Sequence, residues 1–272
     1  MSAVQKQDLT IFSDQSIIPK NLCSNESHNV MLLTSTAATQ PLWLINTLVE
    51  SSIYGHSYSL NSSASSTNTI NHNKPINPTS SLTIASFAHN KSFYKSSFDR
   101  LKINSNSYKI LDFLTDFTMN ETLGKPKAKI FENLLKLFPN DTTSTIILEQ
   151  PEILFSLMGD HLSANELIES FLKPLIKKCG LLIIVTSVEL YKLDYSMTKD
   201  VTELIRFISF CFHVSLTVLS LQPLQTGRAK DITGSLKITR GGATLDHLSG
   251  KIHVIENEYL YLNEKDSTKL FY

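Results

Sequence analysis

One eight-residue stretch, Ser144-Thr-Ile-Ile-Leu-Glu-Gln-Pro151, constrains the fold of this chain more than any other. Thr145, Ile146, Ile147 and Leu148 form a β-branched, apolar run that does not alternate and is too short for a helix. Such a run reads as a central strand buried on both faces between layers of helices. Pro151 has no N–H for a ladder and biases Gln150 towards extended backbone, so the strand is expected to end there. That leaves Glu149 as a carboxylate at the carboxyl end of a buried strand.

Other segments supply neighbours for it. Asn29–Leu33 reads as a first apolar strand, and Pro41 suits the first position of a helix over Leu42–Glu50. Further strands are expected at Leu82–Phe87, Tyr108–Phe113, Leu181–Ser187 and Val214–Leu221. Helices are expected over Phe93–Lys102, from Pro126, from Ser163 to about Lys178 and over Asp200–Cys211. Ser163 and Glu166 have capping-box spacing, Pro174 is expected to kink its helix or start a second segment, and Gly180 to end it. Residues 57–81 are dominated by Ser, Asn and Thr and read as a flexible surface insertion. From Thr226 the pattern turns antiparallel. Ile232–Thr239 and Lys251–Glu256 resemble a hairpin about Gly241-Gly242, followed by an extended piece at Tyr259–Leu262. The fold class is α/β, one domain over 1–272, with a mostly parallel sheet, helices on both faces and an antiparallel C-terminal edge.

Composition narrows the function classes. Lysine plus arginine and aspartate plus glutamate number 25 each, so no global positive field draws the chain to nucleic acid. Cys23, Cys179 and Cys211 lack metal-ligand spacing, and the latter two sit in apolar surroundings as buried thiols. Lys6, Asp8 and Asp14 precede any apolar stretch, unlike a secretory leader, and Leu181–Val185 is too short to span a bilayer. A soluble intracellular protein is expected.

P-loop nucleotide hydrolases hold a magnesium-linked acidic residue where Glu149 falls, and a phosphate-binding loop between their first strand and helix. That loop needs G-x-x-x-x-G-K-[ST], whose glycines let backbone N–H groups wrap phosphates while lysine and hydroxyl meet charge and metal. Thr34 to Pro41 has the length and the place. Thr34 and Thr39 replace the glycines, Gln40 the lysine, and Pro41 the hydroxyl residue. These residues resist positive φ, carry no charge and supply neither hydroxyl nor N–H at the last position. Glu149, with no metal or cation opposite, reads as a structural or interface carboxylate, or less simply as a general base. His213 and His253 lie beside or within strands; His28, His56, His72, His89, His161 and His247 are isolated in polar segments without zinc-ligand spacing. No nucleophile motif, cofactor motif or metal set appears.

One segment is locally basic. Arg228, Lys230, Lys237 and Arg240, offset only by Asp231, stand on a glycine-punctuated hairpin that suits phosphate contact or a subunit interface.

These pieces, taken in order, resemble the family of the sixth subunit of the Elongator complex, its fungal members in particular. The resemblance is carried by Asp8-Leu9…Phe12-Ser-Asp-Gln15, Thr39-Gln-Pro-Leu-Trp43…Ile45-Asn46…Leu48-Val-Glu50 and Ile147…Glu149-Gln-Pro-Glu152. It continues through Thr226-Gly…Ala229-Lys-Asp-Ile-Thr-Gly-Ser-Leu236, Arg240-Gly-Gly-Ala243 and Glu256-Asn-Glu-Tyr-Leu-Tyr-Leu-Asn-Glu264 to Phe271. It implies a RecA-like fold without nucleotide-binding signatures, and assembly with subunits 4 and 5 into a hexameric ring of two heterotrimers. It further implies tRNA binding by the ring, in support of wobble-uridine modification catalysed elsewhere in the complex. The expected place is the cytoplasm, with the nucleus as a second compartment. A contribution across a subunit boundary would fall to Arg228 or Arg240. Two other readings stay open from the residues: an NTPase with an atypical loop using Glu149, and a regulatory RecA-like paralogue acting on DNA. Whether Tyr259, Tyr261, Phe271 and Tyr272 dock on a neighbour or fill their own sheet is likewise open.

Overall fold

The computed structural model describes residues 7–23, 28–61, 81–117, 126–158, 162–189, 199–227, 229–243, 252–264 and 267–271. The apolar runs become six parallel strands: β1 Asn29–Ser35, β2 Leu82–Ser86, β3 Tyr108–Asp112, β4 Asp141–Glu149, β5 Cys179–Ser187 and β6 Thr217–Gln222. β7 Gly234–Arg240, β8 Asn257–Asn263 and β9 Thr268–Phe271 add on antiparallel. The nine strands form one sheet in the order β3-β2-β4-β5-β1-β6-β7-β8-β9.

Each central strand is buried on both faces, and its side chains alternate between two cores. Met31, Leu33, Ile147 and Ile183 face a core made with the N-terminal segment from Leu9 to Leu22, α1 Leu42–Tyr54 and α2 Lys91–Arg100. Val30, Leu32, Ile146, Leu148 and Ile184 face a second core. It is built with α3 Lys127–Leu137, α4 Ile153–Met158, α5 Ala164–Leu167, α6 Lys173–Ile176 and α7 Lys199–Val214. Ser163 and Glu166 close the capping box that opens α5. A π-helical turn, Ile168–Leu172, joins α5 to α6, with the Lys173 N–H reaching back to Ile168. Pro174, which has no N–H and whose ring crowds the carbonyl four residues earlier, stands in the first turn of α6, the second segment expected there.

Several expectations are corrected. Gly180 does not end a helix but lies inside β5, where a Cβ would stand 2.6 Å from the Thr142 carbonyl oxygen. Val214 belongs to α7, and β6 starts at Thr217. Gln150 is not extended: its φ of 49° turns the chain so that its N–H meets the Val185 carbonyl at 2.7 Å. The extended bias before proline does not prevail here, and Gln150 sits at a positive φ that residues other than glycine seldom adopt. β7 pairs with β8 rather than with 251–256, of which Lys251 lies outside the described residues and Val254 only bridges to Phe12. Gly241 is no hairpin tip; it packs on the end of α7, where a Cβ would meet the Ser215 carbonyl oxygen at 1.8 Å.

The expected insertion contains a structural segment at its start. The buried Glu50 carboxylate accepts from the hydroxyls of Ser57 and Ser59 and the backbone N–H groups of Tyr58 and Ser59, at 2.7 to 3.0 Å. So anchored, the segment seals the outer edge of β9: Thr268 N–H bonds Ser59 O, and Asn61 N–H bonds Thr268 O. Covering an edge strand in this way removes a template for unwanted pairing. Residues 62–80 lie outside the described residues. Tyr259 and Tyr261 fill their own sheet's core, with Tyr261 4.9 Å from the Trp43 ring; Tyr272 lies outside the described residues.

Candidate functional site

At their carboxyl ends the parallel strands change from apolar to polar at one level. Register places Asp112 beside Ser86, Ser86 beside Glu149, Ser35 beside Ser187 and Thr34 beside Ser220. Open α/β sheets bind their ligands outside this edge.

The loop after β1 is folded shut. Thr39 is fully buried, and its hydroxyl accepts from the Thr36 N–H at 3.1 Å and donates to the Leu221 carbonyl at 3.2 Å. The two hydroxyls of Thr36 and Thr39 stand 2.9 Å apart, and the Thr39 N–H bonds Thr36 O. Thr34 donates its hydroxyl to Ser220 at 3.0 Å. No residue from 34 to 41 has positive φ, so no nest of convergent N–H groups forms. One outward N–H, that of Ala37, is already met at 2.9 Å by the Glu189 carboxylate. Gln40 is exposed, and Pro41 is buried as the N-cap of α1, one position earlier than expected.

Glu149 is 1% exposed and committed to neighbours. Its Oε2 accepts from the Ser86 hydroxyl, and both carboxylate oxygens lie 3.0–3.1 Å from His89 Nδ1. The Ser86 oxygen in turn accepts from the backbone N–H groups of Ala88 and His89. His89 stacks on Phe93 with ring centroids 3.9 Å apart. The hydrogen bond to Glu149 raises the His89 pKa above its ordinary value, against the opposing effect of burial. Burial, and then the nearby Glu149 charge, push the Tyr94 phenol well above its ordinary range. Sequence reading missed His89. Its partner is 60 residues away, and only the pairing of β2 with β4 brings them together.

Glu152, three residues on, is partly exposed as a residue while its carboxylate is deep. Oε1 accepts from the Ser187 N–H at 2.9 Å, and Oε2 is buried without a hydrogen-bond partner. Burial raises its pKa to about 7, with the Glu149 charge adding to it and the Ser187 N–H opposing it. Among the described residues no lysine or arginine pairs with either acid.

The basic hairpin residues are not brought into one site. Lys230 is exposed in the turn before β7, while Lys237 and Arg240 are exposed on β7 three residues apart and so point to opposite faces of the sheet. Lys237 stands across from Glu258, and the Arg240 N–H bonds the Glu256 carboxylate at 3.0 Å. Arg228 lies outside the described residues. Among the described residues there is no group of three or more His, Cys, Asp or Glu that could hold a metal ion.

No protein-family model matches the chain. Among solved structures, the flagellar accessory protein FlaH from Methanocaldococcus jannaschii superposes with a TM-score of 0.50 at 10% identity, covering 90% of each chain. The fold is RecA-like, with the strand order and antiparallel extension described above. In sequence the chain is 43% identical, over 279 aligned positions and the whole of both chains, to Elongator complex protein 6 of Saccharomyces cerevisiae, and so it belongs to the Elongator subunit 6 family.

Proposed function

We propose that this chain is a non-catalytic assembly subunit that joins Elongator subunits 4 and 5 in a hexameric RecA-like ring. The ring binds tRNA in the cytoplasm and supports wobble-uridine modification performed elsewhere in the complex. The observation that carries the non-catalytic reading is the loop at 34–41. Its hydroxyls and N–H groups bond one another, and the Glu189 carboxylate occupies the Ala37 N–H where a phosphate oxygen would have to bind. A phosphate brought there would meet a carboxylate and no cation, an arrangement that repels it. Glu149, tied to Ser86 and His89, is not poised to orient water or metal.

Isothermal titration of the purified full-length chain with Mg-ATP is expected to give no binding heat. Micromolar binding, lost in Glu149→Gln, would instead establish a nucleotide site of atypical loop.

A further inference from the structure

We propose that the exposed face of α2 is a binding surface for a phosphodiester backbone. The inference rests on the tRNA-binding role proposed above and assigns it to a surface other than the β7 hairpin.

α2 presents Lys91, Lys95 and Arg100 to solvent, Lys102 follows in its C-terminal turn, and Asp99 is the one acidic residue of that stretch. Among the described residues, lysine and arginine ion pairs occur on α3, α5 to α6, α7 and β9. Lys91, Lys95 and Arg100 belong to none of them. The nearby Asp112 carboxylate accepts from the backbone N–H groups of Lys91 and Thr115. It therefore satisfies the main chain and not the side-chain cations. On β7, Glu258 stands across from Lys237, and Lys237 and Arg240 lie on opposite faces of the sheet.

The chemistry of the face fits a sugar–phosphate chain. Ser92, Ser96, Asn104, Ser105 and Asn106 are exposed between and after the cations, and hydroxyls and amides alternate with charge in the same way at backbone contacts. Ten helical residues extend about 15 Å, room for about four phosphates of one strand. An anionic lipid surface is a poorer match. The outward side of α2 has no apolar anchor, for Phe93 is half-buried beneath His89.

The test uses the chain assembled with its Elongator partners and a fluorescein-labelled tRNA transcript, read by anisotropy from about 50 to about 200 mM salt. The K91Q/K95Q/R100Q assembly is expected to bind about tenfold more weakly near physiological salt, its log–log salt slope shallower by about two. Lys95→Gln alone is expected to give a smaller loss in the same direction, and K230Q/K237Q/R240Q to bind as wild type. Unchanged affinity and slope in the α2 variant, with wild-type tRNA binding intact, would overturn the inference and leave the proposed function standing. So would an α2 variant that melts normally but no longer assembles, because the face would then contact a protein. If the wild-type assembly does not bind the transcript, the proposed function itself fails and this inference with it.

Discussion

Glu152 holds the most loosely poised proton found at the strand ends. Its folded pKa of about 7 exceeds the ordinary 4.5, so between these values the folded protein keeps a proton that the unfolded chain releases. Stability must therefore fall as pH rises through that window and level off above about 7. His89 acts in the same sense at higher pH: its stabilising pair with Glu149 is fully present below 6.5 and fades as pH passes its raised folded value. Glu152→Gln keeps an oxygen for the Ser187 N–H and removes the charge. Its melting temperature is expected to match wild type near pH 4.5 and to exceed it increasingly up to about 7. A variant less stable than wild type at every pH would mean that the carboxylate is wanted charged. The reason a sequence shows none of this is visible at Glu149 and Glu152. The sequence places Glu149 at the end of a buried strand, but the groups that close on the two acids, Ser86, His89 and Ser187, come from elsewhere in the chain.

At the scale of elements, local patterning did much. The capping box at Ser163, the buried runs of β1, β4 and β5, and the helix after Pro41 stand where side-chain chemistry puts them. At Gly180 and at Gly241-Gly242 the expectation fails where backbone meets backbone. Gly241-Gly242 has the composition of a turn, yet its missing side chains serve a crossing: Gly241 N–H bonds Leu216 O, and Gly242 N–H bonds Phe212 O. Such a crossing admits no Cβ. Gly241→Ala is expected to destabilise by about 3 kcal/mol, the upper range for overpacking a rigid contact. Its urea midpoint should drop at unchanged slope. A midpoint equal to wild type would mean that the β7 exit does not lie against the end of α7. Segment 57–61 teaches the same lesson from the opposite side: serines that read as loose are ordered because Glu50 gathers them.

For the whole molecule the two ends of the sheet differ. The β9 edge is sealed by residues 57–61, while β3 pairs with β2 and with no other strand among the described residues. The proposed assembly makes a claim on mass. Co-expression with subunits 4 and 5 should yield one species containing two copies of each chain by native mass spectrometry. A lone monomer, or a complex of this chain only with itself, would refute the ring.

The sequence by itself determined the α/β class, the place of Glu149 at a strand end, the lack of a G-x-x-x-x-G-K-[ST] pattern over 34–41, and family membership. These depend on side-chain type and short-range spacing, which the chain carries locally. Tertiary structure alone decided that β2 lies beside β4 and lends His89 to Glu149, and that Glu189 closes the loop from 152 residues away. It also decided that Lys237 and Arg240 part to opposite faces while Lys91, Lys95 and Arg100 of α2 are all exposed. Those outcomes depend on which strands become neighbours and on the register of their pairing. That is a property of the packed sheet, which burial selects over the whole chain at once.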